Sequence, residues 1–140
     1  DAAGLPILPG LLRWSEVEAG NVDHAIRFTT DVTRRAYVWP ARHQAGSSTD
    51  PSLPPMGARF RLKSSYAPGG LSAEARTVLA AMRRHGLVLA DNGSPWYFQG
   101  EQHRKWPEQL IEDLKTIPAD EFVAVDTSSL QVSPDSAQVG

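Results

Sequence analysis

One helix carries both of its boundaries in the sequence, and it constrains this chain more than any other feature. Ser72 is a natural N-cap, Glu74 lies in the first turn, and Arg83, Arg84 and His85 crowd the negative end of the helix dipole. Gly86 sits where a left-handed C-cap is expected. Between these ends Ala75, Val78, Leu79 and Met82 recur at helical spacing and form one apolar stripe. The run Leu87 to Ala90 then reads as a buried strand, Asp91-Asn92-Gly93 as a turn, and Trp96 to Gln99 as the returning strand. A helix that must bury a stripe and leads through a single glycine into an apolar strand calls for a sheet to pack on.

The other segments supply that sheet. Ser15 followed by Glu18 has the form of a capping box, and Gly20 ends one short helical turn. His24 to Thr30 alternates, with Ile26 and Phe28 on one face and Ala25, Arg27 and Thr29 on the other, as a strand does. A second strand is expected over Ala36 to Trp39, ended by Pro40, and Gly46 to Pro55 is a loop by composition. The clearest alternation runs from Ala58 to Tyr66. It places Ala58, Phe60, Leu62 and Tyr66 on one face and Arg59, Arg61, Lys63 and Ser65 on the other. A second helix is expected from Pro107, with Leu110, Ile111, Leu114 and Ile117 at helical spacing and Pro118 as its stop. Glu121 to Val125 supplies a last strand. This order is neither strictly alternating nor all-β, so the expected class is α+β, with a mostly antiparallel sheet and two helices.

Composition removes several kinds of chemistry. With no Cys there is no thiol nucleophile, no disulfide framework and no thiolate metal site. A net charge of -2 gives no bulk electrostatic drive toward nucleic acid or an anionic membrane. No apolar run approaches the roughly 20 residues of a membrane span. There is no GxGxxG, P-loop or GxSxG motif, and His24, His43, His85 and His103 show no HExxH or HxH spacing, so neither a nucleotide cofactor nor a local zinc site is expected.

Both ends of the chain differ from its centre. The chain starts at Asp1 rather than Met and runs into the apolar segment Leu5 to Leu12, where Pro6 and Pro9 block a regular helix. That segment reads as an extended edge or a buried crossing, and the chain as processed or excised. Residues 127–140 (TSSLQVSPDSAQVG) hold few apolar side chains and read as a flexible tail or linker, leaving 1–126 as the folded part.

Four runs, GLPILPGLLRWSEV, AYVWPARH, LPPMGARFRLKSSY and HGLVLADNGSPWYFQG, resemble a group of secreted bacterial proteins, common in soil actinobacteria and generally without an assigned function. The resemblance covers about Ala2 to Asp126. It implies an extracellular location and that residues 1–126 are the C-terminal half of a larger, strand-rich globular domain. On that reading Leu5 to Leu12 packs against a second polypeptide segment, the N-terminal half. The resemblance brings no catalytic residues with it.

Three groups of residues could carry function. Trp14, Trp39, Trp96, Tyr97 and Trp106 could stack on sugar rings. Trp is highly buried on average, so each ring taken singly is first a packing residue. Trp96, Tyr97 and Trp106 stand out because turn and polar residues surround them. The second group is His24, Arg27, Arg42, His43, Asp91 and Asn92, with His43 as acid/base, Asp91 beside it, and Arg27 or Arg42 binding a carboxylate or developing negative charge. Its plain alternative is a structural His24 and a simple Asp91-Asn92-Gly93 turn. The third is the row Arg59, Arg61 and Lys63, which could follow an acidic polymer or be a solvated strand face. Two functions follow. One is a secreted carbohydrate-active enzyme, a polysaccharide hydrolase or lyase, that uses His43, Arg42 and Asp91 and binds substrate through Trp96, Tyr97, Trp106, Arg27, Arg59 and Arg61. The other is a non-catalytic glycan-binding or cell-surface module. Its ligand surface would be the exposed aromatics.

Overall fold

The capped helix forms as its ends dictate: the Ser72 hydroxyl accepts a hydrogen bond from the Ala75 amide at 3.2 Å. Gly86 follows the C-terminal His85 at φ +81°, and a Cβ there would run into the carbonyl oxygen of Phe60. The computed structural model describes residues 1–136, 138 and 139, so Ala137 and Gly140 of the expected tail lie outside the described residues. The elements are α1 (Trp14–Glu18), β1 (Ile26–Thr30), β2 (Arg59–Leu62), α2 (Ala73–Arg84), β3 (Leu87–Asn92), β4 (Tyr97–Phe98), α3 (Glu108–Lys115) and β5 (Phe122–Val125). The fold is mixed α+β around a five-stranded sheet of order β4-β1-β3-β2-β5. All neighbouring pairs are antiparallel except β1 and β3, which run parallel.

Register decides what each face carries. Ile26 pairs with Leu87, Phe28 with Leu89 and Phe98, Phe60 with Leu87 and Ala124, and Leu62 with Phe122, so one face is apolar throughout. Ile26, Phe28, Leu87 and Leu89 are fully buried in one cluster with Val78, Leu79 and Met82 of α2 and Leu110 of α3. The opposite face carries Arg27, Val88 and Arg59 side by side.

The amino-terminal segment is tied to the sheet at two points, the central strand β3 and the end of the edge strand β4. Ala3 donates to Ala90 at 3.1 Å and accepts from Arg42 and His43 at 2.7 and 3.1 Å. Leu12 donates to Gln99 and accepts from Glu101, adding a single bridge beyond β4, whereas Leu8–Gly10 form a short 3-10 helix instead of the extended edge expected for Leu5 to Leu12. Ala3 and Leu12 are buried, whereas Ile7 and Leu8 are 55% and 63% exposed.

Several elements differ from the sequence expectation. A third, five-residue helix, α1, stands where a helical turn was expected, and its box is Arg13 with Glu16, not Ser15 with Glu18. The Glu16 carboxylate reaches back to the Arg13 amide at 3.0 Å, whereas Ser15 already lies inside the helix. Ala36 to Trp39 makes only one bridge, Tyr37 with Met56, because the Ala36 amide turns back to Arg34. The strand expected to Tyr66 ends at Leu62, since the Tyr66 amide closes a turn onto Lys63. Residues 127–136 lie against the body: Thr127 donates to the Trp39 carbonyl at 3.3 Å and Tyr37 to Asp135 at 2.9 Å. Among the described residues, no helix is long and apolar enough to cross a membrane.

Candidate functional site

Trp96, Tyr97 and Trp106 meet at a groove between β4 and α3. The Trp106 indole donates to the Glu101 carbonyl at 2.8 Å and stands edge-on to Trp14 at 5.4 Å, which fixes its ring. Glu101 also accepts the Trp14 backbone amide through its carboxylate at 2.7 Å, so one residue holds the Trp106 ring and the Trp14 backbone. Ile111 and Leu114 of α3 supply the opposite wall, with Lys115 and Glu101 as polar groups. The groove holds about 280 Å³. Tyr97 is 61% exposed at its mouth.

Trp96 contributes an edge and not a face. Its ring is stacked between Phe28 (4.9 Å, 11°) and Phe122 (5.4 Å, 20°), and Phe60 meets it edge-on at 5.4 Å. A sugar cannot stack where two phenyl rings already lie. The positive φ of 52° at Trp96 takes the chain out of strand geometry and turns the indole inward, which also shortens β4 to two residues.

The charged candidates do not join the aromatics. Arg27 is 3% exposed, and its guanidinium donates to the Asp1 carboxylate at 2.8 Å and to the Gln99 side chain. Burial lowers the Arg27 pKa and the nearby Asp91 charge partly restores it. Arg27 is thus a clamp for the amino-terminal segment rather than a ligand contact. Arg42 and His43 are exposed, and both hang from the Ala3 carbonyl through their amides. Asp91 lies in β3 and not in the expected Asp91-Asn92-Gly93 turn, because the strand continues to Asn92, and its carboxylate accepts the Asn92 amide at 2.9 Å. These three gather at the Ala3 end of β3, away from the groove-lining residues.

His24 lies between the Glu16 carboxylate at 3.0 Å and the Ala25 carbonyl at 2.8 Å, a structural link from β1 to α1. Burial raises the Glu16 pKa, but the hydrogen bonds from His24 and Arg13 outweigh it and leave the group below the usual carboxylate range.

The expected row of three cations is not a row in space. Arg61 donates to the Arg83 carbonyl at the end of α2 at 2.9 Å, Lys63 is exposed, and Arg59 is drawn inward with a buried Nε. Arg59 and Arg61 alternate along β2, but Lys63 lies past its end, and what covers each position lies far away in sequence.

Glu101 is the contributor the sequence did not single out. Its contact with Trp14 spans 87 residues and depends on Leu12 docking beside Gly100, so no local pattern contains it. Among the described residues, no group of three or more His, Cys, Asp or Glu could hold a metal ion. The groove presents an exposed phenol, indole edges, an aliphatic wall and one charge of each sign. Comparison of the chain with known protein families, with curated proteins and with solved structures found no match.

Proposed function

We propose that the chain is a non-catalytic glycan-binding or cell-surface module of the secreted bacterial kind its sequence resembles, with the groove between β4 and α3 as its saccharide site. The observation that carries this reading is the convergence of Tyr97, Trp106 and the Trp96 edge on one groove, with Glu101 and Lys115 placed to meet hydroxyl groups. Binding is favoured over hydrolysis or elimination because His43, Arg42 and Asp91 lie at the Ala3 end of the sheet and line no part of that groove. A second polypeptide segment at Leu5 to Leu12 belongs to the same proposal. The exposed Ile7 and Leu8 are what it would cover.

Calorimetric titration with a panel of neutral and acidic oligosaccharides tests the groove. Tyr97→Ala removes an exposed ring and is expected to weaken the bound member about three- to tenfold, the equivalent of one aromatic contact. Failure of every member to bind, or unchanged affinity in Tyr97→Ala, would defeat the reading. Product release during the titration would restore the enzymatic one.

A further inference from the structure

Residues 127–136 are fastened to the rest of the fold at few points. Apart from the segment's own turns, its hydrogen bonds among the described residues are Thr127 to the Trp39 carbonyl at 3.3 Å and the Tyr37 hydroxyl to Asp135 at 2.9 Å. Only Thr127 is buried, and Leu130 and Val132 are 47% and 57% exposed, so the aliphatic side chains add little apolar burial. A segment with so few buried contacts belongs to the low end of local stability.

The same segment walls a cavity of about 430 Å³, where Thr127, Ser128, Gln131 and Pro134 meet Trp39 and Arg59. Trp39 Nε1 and Arg59 Nε are buried, and no group among the described residues accepts from either. Other donors of the same kind are paired: the Trp106 indole with the Glu101 carbonyl, and the Arg27 guanidinium with Asp1. Asp126 also lines the cavity, yet its carboxylate accepts the Ser128 amide at 2.9 Å, and among the described residues it makes no ion pair with Arg59. Burial lowers the Arg59 pKa with no carboxylate opposing it. Covering a donor without giving it an acceptor costs free energy, more so when the donor is charged. Two hydrogen bonds and little apolar contact therefore hold the segment down against two unmade donors.

We propose that residues 127–136 form a strap that opens and closes over the Trp39–Arg59 cavity, latched by Tyr37 and Asp135 and opposed by the unmade donors of Arg59 and Trp39. Opening returns the guanidinium and the indole N–H to water. It leaves the sheet intact, because β5 ends at Val125, before the strap begins.

Hydrogen exchange at the Trp39 indole N–H, followed by NMR on the full chain, tests the strap. The signal is assigned by its loss in Trp39→Phe. The Trp14 indole N–H is the control, since its Nε1 is also buried and unpaired but lies against Trp106. Tyr37→Phe and Asp135→Ala each remove the latch and are expected to speed Trp39 exchange about three- to tenfold, with Trp14 unchanged. Arg59→Met keeps an unbranched side chain and removes the charged donor, so Trp39 exchange should slow about tenfold. Arg61→Met, on the same strand but paired with the Arg83 carbonyl, should leave it unchanged. If Arg59 held the segment down by ordinary packing, Arg59→Met would speed exchange. Faster or unchanged exchange in that variant overturns the proposal. So does unchanged exchange in both latch variants, or Trp39 exchange that rises only in step with Trp14, as in unfolding of the whole chain. The strap lines no part of the groove between β4 and α3, so this result is independent of the glycan titration.

Discussion

Replacing Asp1 by Asn should unfasten the amino-terminal segment. The Asp1 carboxylate and Arg27 guanidinium meet at 2.8 Å with side chains only 1% and 4% exposed, so solvent screens the pair very little. Asn keeps an oxygen to accept the Leu5 amide, which Asp1 now does at 2.8 Å, and removes only the charge. Breaking one partner of a buried ion pair typically costs about 3–5 kcal/mol, chiefly through the charge left behind. Arg27 keeps the Gln99 side chain and the nearby Asp91 charge, which puts the expected loss at the lower end, about 3 kcal/mol. At about 3–4 °C per kcal/mol for a chain of this size, the melting temperature should fall by roughly 10 °C. Urea unfolding followed by far-UV circular dichroism at neutral pH gives the free energy directly. A double-mutant cycle with Arg27→Gln isolates the pairwise part. A loss in Asp1→Asn within about 0.5 kcal/mol of zero would place this pair among weak surface contacts and refute the clamp.

Three other expectations follow from the packing. Trp96→Ala empties the space between Phe28 and Phe122 and should cost about 3–5 kcal/mol in urea unfolding, and a loss below about 1 kcal/mol would show that the stack is not structural. Gly86→Ala forces a side chain into the left-handed region, at about 1–2 kcal/mol, and pushes a methyl group at the Phe60 carbonyl, so it should lose at least about 2 kcal/mol; a variant as stable as the parent contradicts that close approach. Asp113 is held below the usual aspartate range by the Ser72 amide, with Gln109 and the Ser72 hydroxyl adding further bonds. Since its folded value is depressed, the stability it contributes is complete above the ordinary aspartate value and lost as pH falls through the lower folded one. The urea midpoint of Asp113→Asn should therefore vary less between pH 2 and 5 than that of the parent, and parallel curves would argue against the clasp.

The α2–β3 unit was legible because cap, stripe, stop and strand are all local signals, and the structure places each within a residue or two. Alternation likewise located β1 and the start of β2. Pairing was not legible: the parallel neighbour of β1 lies beyond residues 31–86, and nothing near Ile26 or Leu87 announces it. Trp96 shows the same limit at a site. Turn residues on either side suggested an exposed ring, but three phenylalanines from β1, β2 and β5 close around it. Tyr97 is exposed as its turn-rich neighbourhood suggests, whereas Trp106 is half-buried against Trp14. Arg59 was found for its charge and missed for its surroundings. Its cavity wall comes from Trp39 on one side and residues 127–134 on the other.

The strand order has a consequence for how this chain can be divided. Both partners of β1 come from beyond Gly86, so an amino-terminal fragment cut anywhere in Gly46 to Pro55 would hold a single strand with two open edges. The remaining fragment would carry β2, β3, β4 and β5 with a gap where β1 inserts between β3 and β4. A loop cleavage there should therefore yield two pieces that recover structure only on mixing. During synthesis, β1 waits unpaired until residue 87 and its neighbours have emerged.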